Sequence, residues 1–74
     1  MASIVKVIEV IAESDKGWEE AVQEAVMHAS RTIRNIKTIW IKDMQGVVEN
    51  DKIVMYRINA KISFVIEEGE PHPA

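Results

Sequence analysis

Cysteine is absent from the 74 residues, which removes disulfides and thiolate-bound zinc from the ways a small chain can hold itself together. Its absence also suits a reducing compartment, and the cytoplasm is the expected location. Glycine occurs three times and nowhere as a phosphate-cradling loop, so no nucleotide-binding motif of that kind is expected. No excess of basic residues is present: the formal net charge is −3, which disfavours nucleic acid as a partner. Long apolar runs are missing as well. The segment from Met1 to Ala12 is interrupted by Lys6 and Glu9 and has neither a basic leader nor a small-residue cleavage pattern, so neither a signal peptide nor a membrane span is expected. Serines occur without the histidine and acid pattern of a nucleophilic triad, and the carboxylates do not form a pair with divergent environments. The chain is therefore expected not to be an enzyme.

A single domain of this length buries only about 60% of its unfolded surface, and such domains compensate with disulfides, metals or self-association. With the cysteine routes closed, self-association is the leading expectation.

Two periodicities organise the residues. Ile4, Val5, Val7, Ile8, Val10 and Ile11 form a β-branched run that reads as a strand apolar on both faces. Ser14 or Asp15 then supplies the acceptor that opens a helix. Trp18, Ala21, Val22, Ala25, Val26, Ala29, Ile33 and Ile36 recur at three- and four-residue steps, which predicts a helix of about five turns. Acidic Glu19, Glu20 and Glu24 lie towards its start and basic Arg31, Arg34 and Lys37 towards its end, complementing the helix dipole. From Ile36 the period becomes two: Ile39 and Ile41 share one face, Thr38 and Trp40 the other. The alternation loosens over Asp43 to Gly46, where a bulge or bend is expected. Glu49-Asn50-Asp51-Lys52 is a polar turn. In the last strand, Tyr56, Ile58, Ala60, Ile62, Phe64 and Ile66 alternate with Arg57, Asn59, Lys61, Ser63 and Val65, and the first set is expected to meet the helix. Residues 69–74, with Gly69, Pro71 and Pro73, read as a flexible tail beyond a domain at 1–68.

The fold class is α+β, a β-α-β-β unit whose three-stranded antiparallel sheet wraps one helix. One helix covers one face of such a sheet, and the face carrying Thr38, Trp40 and Arg57 is left open. Trp40 on that face is either an interface aromatic or a stacking platform for a planar ligand. Trp18 matches the helical stripe and reads as packing. His28 has no second histidine at helical spacing and reads as a surface or interface residue. Calcium is an alternative ligand, for contacts between subunits can gather Asp15, Glu19 or Glu49 from several copies.

The order and spacing of several short segments resemble the dodecins, small proteins that bind flavins or related ligands in hollow twelve-subunit shells. The segments are Val7-Ile8-Glu9-Val10, Glu13-Ser14, Gly17-Trp18-Glu19-Glu20-Ala21, Ala25 with Ala29, Thr32-Ile33-Arg34-Asn35-Ile36, Tyr56-Arg57-Ile58 and Ile62-Ser63-Phe64. The resemblance implies a hollow homododecamer of cubic symmetry and a non-enzymatic binding and storage role, with FMN or riboflavin as ligand. In flavin-binding dodecins a tryptophan on the second strand stacks on the ring across a two-fold axis, and a glutamine on the third strand bonds the ring edge. Here Thr38 stands in the tryptophan's place and Arg57 in the glutamine's. Arginines that some members carry, associated with phosphate-bearing ligands, are replaced by Gln45 and Val65.

Threonine has no π surface, so the expected ligand site moves to Trp40, about 6.6 Å along the same strand face, with Thr38, Arg57 and Gln45 around it. Trp40 either holds a displaced ring or fills the space with its twin across the symmetry axis. Arg57 either stacks on Trp40 or pairs with an anionic group. A tyrosine-arginine-isoleucine strand and the missing tryptophan at position 38 are shared with the calcium dodecin branch, so the alternative is a structural or calcium-binding shell that has lost flavin.

Overall fold

The computed structural model describes residues 2–67 in four elements: β1 (Ile4–Ser14), α1 (Trp18–Ala29), β2 (Ile36–Glu49) and β3 (Lys52–Glu67). The tail expected at 69–74 lies outside the described residues. All pairing is antiparallel and the sheet order is β1-β3-β2, so the last strand is central. It is also the most regularly alternating strand in the sequence, as a strand paired on both edges and packed on one face requires.

Among the described residues five apolar side chains are buried: Ala21, Ile58, Ala60, Ile62 and Val65. Ala21, on α1, meets Ile58 and Ala60 on β3, and Val10, Ala12, Trp18, Val22, Ala25, Ile39 and Ile41 close around them. The small side chains on both sides let the helix backbone approach the sheet closely. The expected inward face of β3 is thereby confirmed at Ile58, Ala60 and Ile62, whereas Ile66 is exposed and Val65, assigned to the other face, is buried.

The helix is shorter than its apolar stripe implies. It covers 12 residues, just over three turns, and ends at Ala29. The three- and four-residue spacing continues to Ile33 and Ile36, yet Ser30, Thr32 and Ile33 are poor helix formers. Bonds of the tighter i to i+3 kind take over, from Arg31 N to His28 O and from Thr32 N to Ala29 O. Asn35 then turns left-handed at φ 63°, its carbonyl accepts from Val65 N, and Ile36 starts β2. Arg31, Arg34 and Lys37 consequently lie past the helix end, and His28 is the basic residue of its last turn. At the other end the N-cap is Gly17, with no side-chain cap bond. Ser14 organises the preceding turn instead: its hydroxyl accepts from Lys16 N at 2.9 Å and donates to Glu20 Oε1 at 2.7 Å.

Asn50 and Asp51 both have positive φ, 52° and 63°, the conformation of a tight two-residue hairpin turn. β2 and β3 leave that turn as a long ribbon with register shifts at Ile36/Thr38, Ile41/Asp43 and Val47/Val48. The second shift leaves Lys42 unpaired, one residue before the stretch in which a bulge was expected.

The result is an elongated molecule of 65 × 20 × 13 Å with a radius of gyration of 16.0 Å, against about 11 Å for a compact chain of this length. Its accessible surface, 5692 Å², exceeds the roughly 4,600 Å² of a compact monomer of equal mass. With so few buried side chains, each one matters. Ile58→Ala is expected to lower unfolding free energy by about 2–5 kcal/mol, measured by urea denaturation at fixed protein concentration.

Candidate functional site

The side of the sheet away from α1 has no cover. Pairing sets it out in rows with one residue each from β1, β3 and β2: Val7-Ser63-Thr38, Glu9-Lys61-Trp40, Ile11-Asn59-Asp43 and Glu13-Arg57-Gln45. Gln45 belongs to this face only because Lys42 is bulged out, which reverses the strand's parity between Ile41 and Asp43.

Trp40 is 62% exposed and Ile11 66%, so the largest apolar side chains of the central rows face outward. A depression of about 330 Å³ lies at the first two rows, lined by Val7, Thr38, Trp40, Lys61 and Ser63. Hydroxyls of Thr38 and Ser63 hydrogen-bond across the strand pair. Lys61 Nζ stands 5.4 Å from the centroid of the Trp40 ring, a cation–π contact worth about 0.5–1 kcal/mol at an exposed site. The cation on Trp40 is therefore Lys61; of the two roles expected for Arg57, stacking on Trp40 and pairing with an anionic group, the first is not seen.

Arg57 lies two rows away and is engaged by Glu13, with Nη2 3.0 Å and Nε 3.2 Å from Oε2. Its Nη1 is 3.5 Å from Gln45 Oε1, at the limit of a hydrogen bond. The four expected ligand residues thus form two clusters, Trp40 with Thr38 and Arg57 with Gln45. Between the clusters sits Asn59, whose Oδ1 is buried without a hydrogen-bond partner, the sole such side-chain atom among the described residues. Lys42, from the bulge, reaches Glu9 Oε2 at 3.6 Å.

Lys61, Ser63 and Val7 were not among the expected site residues, although the signal for Lys61 existed. As many residues separate Trp40 from Glu49 as separate Lys61 from Lys52, so counting outward from the turn puts them opposite each other. Trp18 packs, as expected: its ring meets Tyr56 edge-on at 4.8 Å and Nε1 donates to Gln45 O at 2.9 Å. His28 is exposed, with Nε2 3.1 Å from Glu24 Oε2.

Among the described residues of one chain, no group of three or more His, Cys, Asp or Glu is placed to hold a metal ion. Asp15 and Glu19 border the start of α1 while Glu49 is at the hairpin tip, so a calcium site built from them draws on several copies. No helix among the described residues is long and apolar enough to cross a membrane.

Comparison with known proteins agrees with this architecture. The sequence model of the family described as Dodecin matches residues 4–67. A calcium dodecin of Mycobacterium tuberculosis is 30% identical, across 93% of this chain and 97% of that protein. Its crystal structure, which has a calcium-binding site, superposes with a TM-score of 0.76 over 95% of this chain and all of that one. Dodecin from Streptomyces coelicolor superposes with a TM-score of 0.83 at 28% identity, covering 90% of this chain and 96% of that one.

The Glu13–Arg57 pair is about half exposed, 44% and 40%, so its attraction is largely screened. A double-mutant cycle with Glu13→Gln and Arg57→Gln is expected to give a coupling below about 1 kcal/mol by urea denaturation.

Proposed function

The chain belongs to the dodecin family, and on that premise we propose that it is a non-enzymatic binding and storage protein, a hollow homododecamer that takes flavin-type planar ligands on its uncovered sheet face. The carrying observation is an exposed tryptophan set in a depression that the protomer does not itself close. Soluble monomers seldom leave contiguous apolar surface of this kind unused. Val5, Val7, Ile11 and Trp40 are all more than half exposed on this face, and neighbouring copies would cover them. The partnerless Asn59 Oδ1 supports the same reading, for an occupant or neighbour with a hydrogen-bond donor would satisfy it.

In this reading Trp40 is the stacking surface, displaced from position 38, where Thr38 offers only its hydroxyl. Arg57 and Gln45 flank the ligand from their own row. FMN and riboflavin are the ligands proposed, and the cytoplasm is the proposed location.

A second reading, a calcium-binding or purely structural shell, is favoured by the 30% identity to a calcium dodecin. It predicts a colourless protein that takes up calcium at contacts between copies, where Asp15, Glu19 or Glu49 would meet.

Light scattering is expected to give the mass of twelve chains of 8.4 kDa, 12 × 8.4 or about 101 kDa. A monomer or dimer at physiological salt refutes both readings. Titration of the protein into FMN or riboflavin is expected to quench flavin fluorescence at micromolar protein, and Trp40→Ala to weaken binding at least about tenfold. Absence of quenching together with heat of calcium binding in calorimetry would select the second reading.

A further inference from the structure

We propose that Lys61 makes the Trp40 face selective for planar ligands that carry an anionic group, over neutral planar ligands of the same ring. The inference rests on the flavin-type reading above and adds to it the charge class of the ligand and the residue that sets it.

Three cations project onto this face from β2 and β3, and two are neutralised. Lys42 has Glu9 at 3.6 Å and Arg57 has Glu13 at 3.0 Å. Lys61 has the ring of Trp40, 5.4 Å from its ammonium nitrogen, and no carboxylate in salt-bridge contact among the described residues. The depression therefore holds one positive charge among otherwise uncharged lining residues, Val7, Thr38, Trp40 and Ser63.

A planar ligand that stacks on the ring face beneath Lys61 has to move the ammonium aside. A neutral ring takes away the cation–π contact and offers the lysine no counter-charge. A ring bearing a phosphate or carboxylate, directly or on a short chain, exchanges that contact for a charge-assisted hydrogen bond, which is stronger. Lysine suits this exchange, for its flexible stem lets the ammonium swing from the ring to an anion beside it.

FMN and riboflavin share one ring system and differ in a terminal phosphate, so the pair isolates the charge. Wild-type protein is expected to bind FMN about tenfold more tightly than riboflavin at low ionic strength, with the ratio falling towards one as added salt screens the lysine. Lys61→Met is expected to abolish the preference by weakening FMN and strengthening riboflavin, whereas Lys61→Arg retains it. An FMN-to-riboflavin ratio that Lys61→Met leaves unchanged overturns the proposal while flavin binding itself stands. If neither flavin binds, the flavin-type reading fails separately, and the charge selectivity is read from Trp40 alone in Trp18→Phe protein. There iodide is expected to quench the indole fluorescence more steeply than caesium, each taken relative to its quenching of free N-acetyltryptophanamide, and the further change Lys61→Met to remove the difference. Equal relative quenching by the two ions before that change overturns the proposal.

Discussion

One helix against one sheet face is the constraint from which the rest of this molecule follows. α1 has 12 residues and spans about 18 Å, while the molecule it must cover is 65 Å long. Burial is accordingly confined to the middle of the sheet, where Ala21 meets Ile58 and Ala60. Everything beyond that contact is left for other surfaces to cover. The distal ribbon exposes Met44, Val48, Ile53 and Val54, and the far face exposes Ile11 and Trp40. A chain without cysteine, and with no metal cluster among the described residues of one copy, has no internal means of compensating. An elongated shape with two kinds of uncovered apolar surface gives neighbouring copies something to grip.

The central position of β3 converts that constraint into a site. A strand paired on both edges fixes the register of its two neighbours at once, so every residue on the open face has a defined row partner. Opposite charges meet across those rows at Glu13 and Arg57, and a diagonal pair joins Glu9 to Lys42. Glu9, the row partner of Lys61, is paired with Lys42, and Lys61 lies on the ring of Trp40. The bulge at Lys42 thus moves Gln45 to the open face.

Much of the fold was legible because two periodicities are clean. The β-branched run of β1, the alternation of β3 and the apolar stripe of α1 each assign a face without reference to anything else. The helix end was not legible from spacing, since Ile33 and Ile36 continue the stripe by coincidence. The helix ends at Ala29, where i to i+3 bonds take over ahead of poor helix formers, and Asn35 then turns the chain into β2. The open face was legible as a face, from the parity of Thr38 and Trp40. Its internal partnerships were not, because they depend on pairing between strands. Arg57 is the more familiar partner for an indole, yet its row contains Glu13, and a carboxylate at 3.0 Å holds a guanidinium better than a ring two rows away. The turn at Asn50 and Asp51 carried the missing information. Two shifts, at Val47/Val48 and Ile41/Asp43, fall on opposite strands and cancel, so the simple count from the turn to Trp40 and Lys61 survives both.

In the proposed function the stacking ring is absent at Thr38 and is supplied by Trp40 in the next row. These are not equivalent positions. Thr38 lies across from Ser63, a small hydroxyl with which it bonds, and that row is consequently shallow. Trp40 lies across from Lys61, whose long side chain covers the ring in the free protein. The π surface that Trp40 presents is already occupied by a charge. In the proposed function this displacement would change the selectivity of the face as well as its geometry. Stacking on Trp40 would then be an exchange reaction, in which the affinity for a ring is set by what the ligand offers the ammonium it displaces.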